Sequence, residues 1–116
     1  MQKEYLVIKL LNEKMKKKIL HLTLTRHWFN QIALELKKKE YRKMNEYWRK
    51  RLTMCSYHRI LKPKRFDEVH FRNGYTLDRP FMRVEWKGLE IENFNYDVCY
   101  AILLGKILEI KNWVKE

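Results

Sequence analysis

From Ile19 apolar and polar residues alternate, with Leu20, Leu22 and Leu24 on one side and His21, Thr23 and Thr25 on the other, which is the period of a half-buried strand. The period then lengthens. Trp28, Phe29, Ile32, Ala33 and Leu36 recur at helical spacing behind Thr25, a suitable cap, and predict an amphipathic helix over 26–36. Residues 38–44 return to a strand pattern that puts Glu40 and Arg42 on one face and Lys39 and Tyr41 on the other. Asn45 can cap a second helix reaching Leu52, in which Tyr47, Trp48 and Leu52 are apolar and Arg49, Lys50 and Arg51 face solvent or a phosphate.

A polar connection containing Lys62-Pro63-Lys64-Arg65 follows. Phe66 to Arg72 then looks extended, and Asn73-Gly74 is the strongest turn signal, so a hairpin is expected there. Its next strand starts at Phe81 and runs past Gly88 to Ile91. The last strand spans Tyr100 to Ile110, with Gly105 as a bulge or bend. The order strand, helix, strand, helix, then three strands predicts an α+β fold: a small curved sheet or β-barrel with flanking helices over its openings. Ahead of it, Tyr5, Leu6, Ile8, Leu10 and Leu11 form one face of a short helix, followed by Lys14, Lys16, Lys17 and Lys18. Residues 1–14 therefore read as an N-terminal extension that would pair two copies of the chain, and 15–116 as the compact domain.

Charge sharpens the picture. The chain of 116 residues has a net charge of +12, distributed as +14 over residues 1–65 and −2 over 66–116. A concentrated positive field draws phosphate backbones by counterion release. No run of about 18 apolar residues is present to span a bilayer, which favours nucleic acid over a membrane as partner. Cys55 and Cys99 are too few for a disulfide scaffold, which suits a reducing cytoplasm. Lys9 breaks the first apolar stretch and no small-residue cleavage site follows, so no signal peptide is expected. Cys55 and His58 stand three apart, but His21, His27, His70 and Cys99 supply no second pair, so neither a metal nor another cofactor is expected.

Glu35-Leu36-Lys37-Lys38-Lys39-Glu40-Tyr41-Arg42 places a lysine, a carboxylate and an arginine at fixed spacing where helix gives way to strand. This segment resembles the Gly-x-Lys-x-x-Glu-x-Arg signature of the ASCH domain, a PUA-like β-barrel family. Lys37, Glu40 and Arg42 fall on its last three defined positions, and Glu35 stands at its glycine. Ile19 to Leu24 with Trp28-Phe29, Tyr47-Trp48, Val69 to Tyr75 and Ala101 to Ile110 extend the similarity to compact bacterial or prophage-type members, over about residues 15 to 113. The resemblance implies a cleft beside the first helix that holds RNA or a modified nucleoside. Among family members some bind RNA, some hydrolyse it, and some deacylate N4-acylated cytidine; fold alone does not choose. The deacylases use a threonine three residues after the lysine, where this chain has Glu40; a carboxylate is a much poorer replacement for a hydroxyl nucleophile, which weakens the deacylase reading, and Thr23 and Thr25 on the first strand are only spatial candidates for that role.

Two functions follow for these residues. In an RNA-binding module, Lys37 and Arg42 hold the ligand in the cleft while Arg49, Lys50 and Arg51 anchor the phosphate backbone. Arg72 joins them; Asn73 meets a base edge and Tyr75 stacks on a base. In a metal-independent hydrolase acting on RNA or on N4-acylated cytidine, Lys37 and Glu40 are catalytic. Crowding by Lys38 and Lys39, with burial, favours a neutral amine suited to act as base or nucleophile. Arg83 and Glu85, on one face of the next strand, either border the same cleft or, more simply, form a cross-strand ion pair, and Trp28, Trp48, Trp86 and Trp113 fit the core.

Overall fold

A computed structural model describes residues 3–4, 6–8, 16–55 and 59–114. The described residues of the N-terminal extension are helical, with Leu6, Val7 and Ile8 exposed; Tyr5, Leu10 and Leu11 lie outside the described residues. Among the described residues no helix is long and apolar enough to cross a membrane.

The alternating segment forms β1 (Ile19–Thr23), which buries Leu20 and Leu22 and leaves His21 and Thr23 exposed. Thr25 then precedes α1 (Arg26–Ala33) in extended conformation, without a side-chain capping bond, and Phe29 and Ile32 are the residues α1 buries. The helix stops three residues before its apolar pattern does. The Glu35 amide donates to the Ile32 carbonyl and the Leu36 amide to that of Gln31, both at 2.9 Å, which is a Schellman closure with Glu35 at φ 61°. Leu36 is therefore carried off the helix and is exposed. An L side chain in this left-handed region is strained by about 1–2 kcal/mol. Glu35→Gly should therefore stabilise the fold by about 0.5–1 kcal/mol in urea unfolding, after allowance for the looser unfolded chain. A loss of stability would mean that Glu35 makes a compensating contact.

β2 (Lys39–Lys43) follows, and Asn45 caps α2 (Glu46–Leu52) as expected, its Oδ1 accepting from the Trp48 amide at 3.0 Å. Beyond it the polar connection is not irregular: β3 (Thr53–Cys55) and β4 (Leu61–Pro63) form a two-stranded antiparallel sheet of their own. The Lys64 amide fastens this unit to α2 through the Leu52 carbonyl. β5 (Glu68–Arg72) starts after Phe66, which instead packs against Trp86.

The expected hairpin joins β5 to β6 (Phe81–Phe94) through residues 73–80, with Gly74 at φ 92°. A longer hairpin joins β6 to β7 (Asp97–Lys111) around Asn95 and Tyr96, both at positive φ as in a type I′ turn. The strands thus reach farther toward this turn than the apolar pattern predicts, and Phe94 near its tip stacks on Tyr41 of β2 with ring centres 4.3 Å apart. Gly105 marks an irregularity, as expected: Val84 faces Ile107 while Trp86 faces Leu104, so β7 carries an extra residue there. Glu85 Oε1 takes the Lys106 amide at 2.9 Å.

The main sheet has the order β1-β5-β6-β7-β2, with β1 parallel to β5 and the remaining pairs antiparallel. It is an α+β fold whose sheet does not close into a barrel; β1 and β2 are its two edges. The chain leaves β1 directly into α1, which packs Phe29 and Ile32 into the core instead of extending β1 toward β2. One face of the sheet, with Leu22, Phe71, Met82, Val84 and Ile102, packs with Phe29, Ile32 and Leu52 from the helices to make the core. Trp48, Trp86 and Trp113 pack against that core as expected, whereas Trp28 is exposed.

Candidate functional site

Lys37, Glu40 and Arg42 come together. Antiparallel pairing sets Glu40 opposite Ile102 and Arg42 opposite Tyr100, so both side chains leave β2 on the face that carries the core. Glu40 is only 5% exposed. Its Oε1 accepts from Lys37 Nζ at 2.9 Å and from the Tyr41 amide at 3.0 Å; its Oε2 lies 3.5 Å from Arg42 Nη2. Both oxygens therefore already have donors, and the carboxylate holds two cations at a set separation.

Aromatic rings complete the arrangement. Lys37 Nζ sits 3.9 Å from the centre of the Trp28 ring and the Arg42 guanidinium 4.9 Å from that of Trp48, both within cation–π range. Trp28 was missed as a site residue because its place in the helical pattern fits a core position, and nothing in the sequence marks it out from Phe29 and Ile32, the residues α1 buries. One of the two lysines expected to crowd Lys37 is turned away from it. Strand alternation turns Lys39 to the opposite face, where it pairs with Glu92 at 2.8 Å, and the charge in contact with Lys37 is a carboxylate.

The end of β1 links this cluster to the second candidate patch. Arg42 Nη2 donates to the Thr23 carbonyl at 3.3 Å, joining the two sheet edges at one point. One residue on, the Leu24 carbonyl accepts from Asn73 Nδ2 at 3.0 Å, and the Leu24 amide donates to the Arg72 carbonyl at 2.8 Å. The Asn73 amide group thus anchors β1, which leaves Oδ1 as its group able to meet a base. Tyr75 is 87% exposed. The guanidinium Nη1 of Arg72 lies 2.9 Å from His21 Nδ1; burial, with help from Arg72 and His70, lowers the His21 pKa and favours the neutral ring that can accept this bond.

Beside Arg42, an apolar groove of about 500 Å³ lies between the small sheet and the β6–β7 hairpin, lined by Met44, Leu61, Pro63, Leu89, Ile91 and Tyr100. Tyr100 is the cross-strand partner of Arg42, and Met44 follows two residues after it. On α2 the proposed phosphate anchors differ from one another. Arg49 is bound by Glu46 through both Nε and Nη2, Arg51 lies 4.4 Å over the Tyr47 ring, and Lys50 is exposed.

The opposite sheet face carries an ion cluster that the sequence reading overlooked. Arg83 pairs with Glu68 at 2.9 Å and with Glu109 at 3.7 Å rather than bordering the motif. Glu68 also takes Lys17 at 2.7 Å and His70 at 3.1 Å. The Lys17 hydrogen bond leads in holding the Glu68 carboxyl at about 2, against the opposing effect of burial, with His70 and Arg83 adding to it. A carboxyl held lower folded than unfolded stabilises the fold above its ordinary value of 4.5 and loses that contribution as pH falls toward about 2. Glu68→Gln should cost about 2 kcal/mol at pH 7, allowing for partners that are partly solvated. The deficit should shrink below pH 4; a gap that stays constant in acid unfolding would contradict this role.

Cys55 is exposed and His58 lies outside the described residues; among those described, no three His, Cys, Asp or Glu side chains are grouped to hold a metal ion. No protein-family model matches the chain, and comparisons with curated proteins and with solved structures gave no match.

Proposed function

We propose that the chain is an ASCH-type module that binds single-stranded RNA across the seam between β1 and β2. The observation that carries this reading is the convergence of Lys37 and Arg42 on one buried carboxylate, each cation lying against a tryptophan, in the basic half of the chain. Such a unit presents fixed cations for phosphates and an exposed ring, Trp28, for a base, the combination that single strands require. The apolar groove beside Arg42 is of a size to take one unstacked base, and Arg72, Asn73 and Tyr75 continue the path beyond β1.

A further observation favours the family resemblance. The signature's glycine falls on Glu35, where the backbone has the positive φ that glycine adopts without strain. The hydrolase alternative has less support, because both Glu40 oxygens carry donors and Lys37 Nζ is one of them. The exposed Leu6, Val7 and Ile8 favour pairing of two copies through residues 1–14.

Titration of a labelled oligouridylate with the wild type, Trp28→Ala and Arg42→Gln tests the site. Each variant should bind about tenfold more weakly, the scale of one lost base stack or charged contact. Wild-type affinity in both would remove the seam from the binding surface.

A further inference from the structure

The far side of the sheet holds a cationic cluster around Phe81 that the motif does not use. On β5 and β6, Arg72 stands opposite Phe81, and on β6 and β7 Phe81 stands opposite Lys111. The Arg72 guanidinium lies 5.3 Å and the Lys111 ammonium 5.9 Å from the ring centre, and the His70 ring meets its edge at 5.3 Å. Among the described residues Arg72 has no carboxylate partner; its polar contact is the His21 ring nitrogen at 2.9 Å. Burial, and secondly the nearby charge of Arg79, both work against its positive form. A cation drawn out of water and left beside a second cation gains most from an anion at that place. Arg79 is held in reach by the Tyr75 and Thr76 carbonyls, which accept from its Nη1 at 3.2 and 2.8 Å. Of the acids nearby, Glu68 is engaged elsewhere, with Lys17, His70 and Arg83, and Glu109 pairs with Arg83 and, at 3.7 Å, with Lys111 of this cluster.

We infer that Arg72, Arg79 and Lys111 form a phosphate seat around Phe81, so that a bound single strand turns past the end of β1 and continues on the sheet face opposite the motif. The seat takes a phosphodiester of the strand. Tyr75, exposed on the connection between β5 and β6, offers its ring to the adjoining base. The inference rests on the proposed function for the chemical class of the ligand, but its residues are separate from the motif.

The test compares the wild type, Arg79→Gln/Lys111→Gln and Lys37→Gln, each titrated with an oligouridylate of about 12 nucleotides at several salt concentrations. Two lost phosphate contacts should lower the slope of log affinity against log salt by about 1.4 and weaken binding about tenfold at low salt. That loss, together with weakening by Lys37→Gln, supports both sites. If the double variant weakens binding and Lys37→Gln does not, the seat stands and the motif reading falls. If Lys37→Gln weakens binding while the double variant retains the wild-type slope, the seat is overturned and the motif reading survives. A wild-type protein that does not bind the oligonucleotide overturns both.

Discussion

Glu40→Ala is expected to destabilise the protein by about 3 kcal/mol, the largest effect of any single substitution at the motif. The side chain is nearly sealed from water and is the shared counter-charge of Lys37 and Arg42, whose own side chains are 14% and 21% exposed. Its removal leaves two like charges without their carboxylate, together with the Tyr41 amide that Oε1 satisfies. Partial access of water to the two cations keeps the figure at the lower end for a broken buried pair. Glu40→Gln keeps an acceptor but not the charge, so it should fall between the wild type and Glu40→Ala in urea unfolding. The pairing of Lys37 and Arg42 through Glu40 would be refuted by a Glu40→Ala protein as stable as the wild type.

Binding of single-stranded RNA should weaken about a thousandfold between 50 and 200 mM salt. Seven cations, Lys37, Arg42, Lys50, Arg51 and Arg72 along the proposed path with Arg79 and Lys111 at the phosphate seat, each release roughly 0.7 of a counterion on meeting a phosphate of a single strand. The slope of log affinity against log salt should then be about −4.9, or about −3.5 without the seat. Arg49 is left out of that number because Glu46 already neutralises it through two hydrogen bonds. Reversing Lys50 and Arg51 to glutamate should weaken binding irrespective of base sequence, since α2 contributes charge and not base contacts. An affinity that barely changes with salt would point to a ligand recognised without its phosphates.

What the sequence made legible was the part governed by short-range periodicity. Leu20 and Leu22 against His21 and Thr23 disclosed β1, and Asn45 announced the cap it provides. The same alternation placed Glu40 and Arg42 on one face, so two members of the motif were grouped before any tertiary contact was known. The third, Lys37, depends on how α1 ends. A Schellman turn through a glutamate has no sequence signal of the kind a glycine would have given, so the helix was carried on to Leu36.

Long-range features were hidden for a different reason. The contact of Arg42 with the Thr23 carbonyl joins residues nineteen apart, and that of Asn73 with Leu24 joins residues forty-nine apart. Both depend on β1 lying parallel to β5, a pairing that no local pattern encodes. Trp28 belongs to the same class. Its ring sits over a cation because α1 ends where it does, and from the sequence the residue was indistinguishable from core. Similarly, β3 and β4 are three residues each and mostly exposed, so they show no alternation of buried and solvated positions.

The most direct measurement is photo-crosslinking of a single-stranded RNA to the protein, followed by mass mapping of the modified residues. The seam between β1 and β2 should be labelled at Trp28 or Trp48, and competition with unlabelled RNA should remove that labelling. Cross-links confined to residues remote from Lys37 and Arg42, with both tryptophans unmodified, would contradict the assignment of the motif to RNA.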